Sequence, residues 1–196
     1  MPRLPIPTFD TAPAVARPVL ADLRERSLSP GTLLNLHAQM STSPATLMGY
    51  MGMRSAIEQY GTLDAKVRTA IMLSVSRTDG AGYAQAINVM LCRRAGWSAE
   101  EVSEIAAGTF NDDPKIASLL EVARQAARNI GHVDDGAWRI ARSNGWSAEE
   151  LNDTFASVAL TMVVDYFVHF AETPLDVPAA PAAADTRNLE RIRSHS

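Results

Sequence analysis

Residues 82–95, GYAQAINVMLCRRA, are apolar almost all the way round a helix. Tyr83, Ala84, Ala86, Ile87, Val89, Met90, Leu91 and Cys92 leave no continuous polar stripe. A helix without a solvent face belongs in the middle of a bundle or in an interface between copies. The stretch is the second of three consecutive helices expected over 64–108. The first runs from about Asp64 to Thr78, with Val67, Ala70, Ile71 and Val75 recurring on one buried face. A short glycine-containing break separates the two. The third opens at Ser98-Ala99-Glu100-Glu101, a capping box in which Ser98 and Glu101 satisfy orphan N–H groups.

The flanking chain has the same helical period. Residues 1–11 are proline-rich and read as an extended strap, followed by a helix over 12–26 with Val15, Val19 and Leu23 on one face. Ser29-Pro30-Gly31 is a break, and a short apolar helix containing Leu36, His37 and Met40 comes next. Ser43-Pro44 starts a methionine-rich helix to about Tyr60, with proline at its first position. Beyond the central segment, Asp113-Pro114 begins a periodic helix carrying Leu119, Leu120, Ala123 and Ala127, and a shorter one follows over Asp134–Ser143. The last, about Ser147 to Glu172, is expected to turn Leu151, Phe155, Val158, Met162, Tyr166 and Phe170 inward. No stretch alternates like a strand, so the class is all-α. One domain is expected over 1–178, and the Ala/Pro-rich, charged residues 179–196 read as a mobile tail.

Gly96-Trp97-Ser98-Ala99-Glu100-Glu101 returns identically as Gly145-Trp146-Ser147-Ala148-Glu149-Glu150. Each copy is a helix end, a glycine, a tryptophan and a capping box. Either one local solution occurs twice or a helical unit is duplicated. Among 18 basic residues the only lysines are Lys66 and Lys115, which sequence alone does not interpret.

Composition removes several classes of function. A net charge of −4 offers no electrostatic case for nucleic acid or an anionic membrane. The N-terminus lacks the apolar run of a signal peptide, and the apolar run near 156–164 is too short to span a bilayer, so a cytoplasmic protein is expected. One cysteine allows no intramolecular disulfide and no CxxC pair. The four histidines have no metal-ligand spacing, so neither a metal nor another cofactor is expected.

The arrangement over 63–105, leading into the last helix and AETPLDVP, resembles the alkylhydroperoxidase D and carboxymuconolactone decarboxylase family (AhpD-like). The resemblance runs from about Pro44 to Pro178. It implies a compact helical bundle assembled as a homo-oligomer, commonly a trimer or hexamer, and peroxiredoxin-type peroxide reduction. Peroxidase members of that family carry a glutamate at the start of one helix and a Cys-x-x-Cys-x-x-x-His run opening the next. Here the glutamate's place is held by Thr69, the cysteines' places by Ala81 and Ala84, and the histidine's place by Asn88. Dithiol peroxidase activity is therefore not expected.

What remains for chemistry is a short set of residues. Thr69, Tyr83, Gln85 and Asn88 either line a small polar cavity for a small-molecule ligand or pair with helix ends and neighbouring subunits. Cys92, one turn beyond Asn88, is a lone thiol that reacts only if exposed and of depressed pKa, and otherwise is inert core. His37 and His169 are candidate substrate-binding residues, and His169 with Asp165 four residues before it is either an acid–base pair or a structural hydrogen bond. Two readings stay open: an enzyme with altered lactone or peroxide chemistry, or a non-catalytic relative that binds a small molecule or a partner protein. An open cavity reached by His37 or His169 favours the first, and a filled apolar core favours the second.

Overall fold

A computed structural model describes residues 1–27 and 31–181. The expected break at Ser29-Pro30 and most of the C-terminal tail lie outside the described residues. Among those described, the secondary structure is helical throughout. A 3-10 turn at Ala14–Ala16 leads into α1 (Arg17–Glu25), α2 (Asn35–Met40), α3 (Pro44–Tyr60), α4 (Ala65–Thr78), α5 (Gly82–Arg94), α6 (Ala99–Ala107), α7 (Pro114–Arg128), α8 (Asp135–Ser143) and α9 (Ala148–Ala171).

The middle of the bundle is α4, which packs against α5, α6, α7 and α9. Ala70, Ile71, Leu73 and Val75 have no exposed surface, and each full burial of such an aliphatic side chain is worth about 1.5–3 kcal/mol. Its buried hydroxyls are satisfied. Ser76 Oγ donates to the Met72 carbonyl at 2.9 Å, and Ser74 Oγ accepts from Arg124 at 3.3 Å. The all-round apolar α5 lies against it, buried over Tyr83–Ala86 and half-buried at Ile87, Val89, Met90 and Leu91. A second apolar cluster joins Leu20, Leu36, Met40, Leu47, Ala84 and Val168, and closes the N-terminal helices over this pair.

The repeated hexapeptide belongs to a repeated structure. Trp97 Nε1 donates to the Lys66 carbonyl at 3.0 Å, and Trp146 Nε1 donates to the Lys115 carbonyl at 2.7 Å. The ammonium of Lys66 lies 4.3 Å from the centre of the Trp97 ring, and that of Lys115 lies 4.4 Å from the Trp146 ring. Arg93 and Arg142 each donate to the carbonyl of the tryptophan four residues on, both at 2.6 Å. Asp64 and Asp113 cap the starts of α4 and α7, and both capping boxes are formed. Gly96 and Gly145 hold φ of 92° and 91°, a left-handed turn that a side chain would strain. The unit α4–α5–α6 is thus built again as α7–α8–α9, and the two lysines occupy one equivalent position as cations on tryptophan faces.

Two expectations change. Val15 is exposed, and so are Phe155 (57%), Tyr166 (60%) and Phe170 (65%) on α9. The inner face of α9 is instead Leu151, Thr154, Ser157, Val158, Thr161, Asp165 and Val168. Its hydroxyls bond their own helix: Thr154, Ser157 and Thr161 each donate to the carbonyl four residues back, at 2.8–3.0 Å. Small self-satisfied residues allow close packing, so the buried face keeps the expected Leu151 and Val158 but is rotated away from Phe155, Tyr166 and Phe170. α9 is also long and apolar enough, with a mean hydropathy of 1.5 over its best window, to cross a membrane by length and composition. It is packed against α3, α4, α5 and α7.

The segments flanking the bundle are tied down. Arg3 N donates to the Ala171 carbonyl at 2.9 Å, and Gln39 Nε2 donates to the Leu4 carbonyl at 3.0 Å. Past α9, Asp176 accepts from Asn35 N at 2.6 Å and from the Tyr83 hydroxyl at 2.7 Å.

Trp146→Phe keeps the ring volume near the core but removes the bond to the Lys115 carbonyl and weakens the lysine contact. It should lower stability by about 1–2 kcal/mol in urea unfolding, and Trp97→Phe by a similar amount.

Candidate functional site

A cavity of about 260 Å³ lies where α1, α2 and α3 close over α4, α5 and α9. Its walls are mostly aliphatic, from Leu36, Ile87, Leu91, Leu160 and Val164. Of the residues expected to form a site, it brings together His37, Thr69 and Asn88. Tyr83, Gln85, Cys92 and His169 do not line it.

The helix period explains the division. Residues 84, 87, 88 and 91 share the face of α5 that looks toward α3 and α9, while 83, 85 and 92 turn away. Tyr83 is used by Asp176 and by the N–H of Leu36, and burial with the adjacent Asp176 carboxylate drives its phenol far above the ordinary range. Gln85 accepts from Arg77 at 2.7 Å and donates to the Ser76 carbonyl at 2.9 Å, which fastens the α4–α5 turn. Asn88 spends its amide hydrogens on the Met72 carbonyl (3.1 Å) and Ser76 Oγ (3.0 Å), so it stiffens the cavity wall. Thr69 donates to the Lys66 carbonyl at 2.7 Å, as Ser118 does to Lys115 in the second unit.

Cys92 is core. It has no exposed surface, its Sγ donates to the Thr69 carbonyl at 3.2 Å, and burial pushes its thiol up to about 12. A thiolate nucleophile needs the opposite environment.

His37 sits at the wall, 7% exposed, its ring 5.9 Å from that of Tyr50. Burial first, then the charge of Arg54, lowers its pKa to about 4, so the imidazole is neutral at physiological pH. His169 is exposed on α9 and makes no bond to Asp165. Asp165 is fully buried and faces Asp79 instead, and no donor among the described residues reaches either of its oxygens. Two carboxyl groups in contact are satisfied only when one keeps a proton to donate. Burial and the Asp79 charge accordingly raise Asp165 to about 9.

The cavity also holds residues that the motif analysis missed: Arg26, Arg54, Arg68 and Arg94, with Glu58 as the one carboxylate among the lining residues. Arg54 pairs with Glu58 at 2.9 Å. Burial works against its charge, but the Tyr50 hydroxyl and Glu58 more than offset it. Arg26 pairs with Asp22 at 2.8 Å. The available signal was local, an Arg-x-x-x-Glu pair on α3 and arginines opening α4 and closing α5. A net negative chain obscures it, because the four come from four separate places along the sequence.

Residues 44–125 match the Carboxymuconolactone decarboxylase family. The matched stretch runs from the start of α3 into α7. No curated protein matches the sequence. Among solved structures, the chain is similar to an alkylhydroperoxidase AhpD core, an uncharacterized peroxidase-related protein from Ralstonia eutropha JMP134. That match has a TM-score of 0.79 and 15% identity, over 89% of this chain and 92% of that one. It is also similar to a cysteine-to-alanine form of the debrominase Bmp8 in complex with 2,3,4-tribromopyrrole, at a TM-score of 0.75 and 18% identity over 97% and 96%. An uncharacterized peroxidase-related protein from Silicibacter sp. TM1040 matches at a TM-score of 0.74 and 13% identity, over 93% of each chain. At these identities the structural similarities carry the fold, which is the AhpD-like helical one.

Two outcomes follow. Cys92 should stay unmodified by a thiol-reactive dye in native buffer for hours and react at once in denaturant, and fast native labelling would contradict its placement. For Asp165, the folded pKa lies above the unfolded one near 3.8, so its contribution to stability is present below about pH 4 and is lost as pH rises toward 9. Asp165→Asn should therefore flatten the fall in urea midpoint between pH 5 and 9 and add at least about 1 kcal/mol at pH 8–9.

Proposed function

We propose that this protein is a small-molecule enzyme that works by proton transfer in the α3–α5–α9 cavity, without thiol chemistry. The observation that carries the reading is His37, a neutral imidazole in the wall of an open cavity, with neither ring nitrogen bonded by a described residue. The cavity is not filled by core, which favours the enzyme over a purely structural relative. Cys92, sealed away and held protonated, weighs against peroxide reduction.

The chemistry that fits is isomerisation of an unsaturated lactone or a related carbonyl compound. His37 takes a proton from the carbon next to the carbonyl and becomes imidazolium. The electron pair left behind becomes an enolate, whose charge develops in the field of Arg54. The same proton then returns at a different carbon, so the double bond moves and no oxidant, reductant or co-reactant is consumed. The depressed basicity of His37 makes the imidazolium a strong acid for the return step, and enolate charge beside Arg54 offsets the cost of the first. The structure of Bmp8 holds a halogenated pyrrole, and this likeness supports a small ring as the size of guest.

The test is exchange of ring hydrogen for deuterium in α-angelica lactone, an unsaturated γ-lactone, followed by NMR in D2O. The expected result is catalysed exchange, reduced at least about 100-fold in His37→Asn at unchanged melting temperature and untouched in Cys92→Ala. Equal exchange in wild type and His37→Asn would remove His37 from the chemistry. Hydroperoxide consumption with excess dithiol should stay at the reductant-only blank, and turnover lost in Cys92→Ser would overturn the reading.

A further inference from the structure

The charge of the cavity goes further than the reaction type and names a class of guest. The inference rests on the small-molecule reading above. Of the four lining arginines, Arg26 and Arg54 each pair with a carboxylate four residues away, Asp22 and Glu58. Arg68 and Arg94 have no carboxylate partner among the described residues; Arg68 gives one bond, to the Leu63 carbonyl, and Arg94 gives none. The two come from the start of α4 and the end of α5. Those positions lie level with each other, since Cys92 Sγ reaches the Thr69 carbonyl and Trp97 Nε1 reaches the Lys66 carbonyl. Arg68 is half-buried and Arg94 exposed, so one is set into the cavity and the other stands at its open side. A protein of net charge −4 thus keeps, among the described residues, two guanidinium groups without a carboxylate partner on one apolar-walled cavity.

We propose that Arg68 and Arg94 form an oxyanion subsite, and that the guest is a small molecule with an apolar body and a carboxylate. A guanidinium offers paired N–H donors that match a carboxylate, and two of them flanking one anion hold it more firmly where water is partly excluded. The aliphatic walls from Leu36, Ile87, Leu91 and Leu160 ask for an apolar body, which free inorganic phosphate lacks. His37 lies in the same cavity, so anchoring the carboxylate at the α4–α5 end would fix which carbon the imidazole meets.

The test measures binding by calorimetry with benzoate, methyl benzoate and inorganic phosphate, using the full chain. Benzoate should bind at least about tenfold more tightly than its neutral ester and than phosphate, with affinity falling as salt rises. Arg94→Gln, an exposed change that leaves the core alone, should weaken benzoate several-fold, and the double variant Arg68→Gln/Arg94→Gln by at least about tenfold. Methyl benzoate should bind the variants as it binds the wild type. Ester and acid binding equally, or benzoate affinity unchanged in Arg94→Gln and the double variant, would overturn the subsite and leave the cavity as a neutral pocket. Phosphate matching benzoate would overturn the carboxylate class. Binding of none of the three probes would overturn the subsite and the small-molecule reading together.

Discussion

The amide of Asn88 is the joint on which the rest of the site depends. It crosses the seam between α4 and α5 and gives one hydrogen to the Met72 carbonyl and the other to Ser76 Oγ. Both recipients sit on the central helix α4, where an unpaired buried polar group costs about 1–3 kcal/mol. The pairing holds α5 at a fixed rotation, and that rotation decides which residues see the cavity. Ala84, Ile87 and Leu91 face it, and Cys92 is turned into the core. A histidine at this position could exchange protons; an asparagine can only hold the two helices together.

The polar groups that line the cavity are distributed accordingly. The α4–α5 wall is braced and apolar, with alanine where a thiol would need to sit. The titratable and charged groups come from several helices: His37 on α2, Arg54 and Glu58 on α3, Arg68 near the start of α4 and Arg94 at the end of α5. These groups come from different parts of the chain and meet only because the second apolar cluster closes α1, α2 and α3 onto the central pair. The site is made by packing, and its basic character is a local property of a chain whose overall charge is negative.

The same division between local signals and distant contacts explains what the chain disclosed before folding. The helices, their caps and the all-α class were legible because capping boxes, Asp-Pro and Ser-Pro starts and the apolar α5 are local signals. The duplicated hexapeptide was legible as a word, but its meaning needed contacts 31 residues apart, where each lysine meets its tryptophan. α9 was misread because its inward Thr154, Ser157 and Thr161 look polar in sequence, yet each hydroxyl is satisfied by its own helix. Asn88, Thr69 and His37 were found by position. Arg68 and Arg94 were not, since nothing in either neighbourhood indicates that the other lies across the seam. The pairing of Asp165 with Asp79 rather than His169 was hidden for the same reason.

The ties between residues 3–4, α2 and residues 171–176 set an order on how the molecule is made. The roof of the cavity emerges first during synthesis, with α1, α2 and α3. Its fastenings emerge last: the Ala171 carbonyl that receives Arg3 N, and the Asp176 carboxylate that receives Asn35 N and the Tyr83 hydroxyl. The bonds that fasten the roof of the cavity therefore form only once α9 and the residues after it have been made.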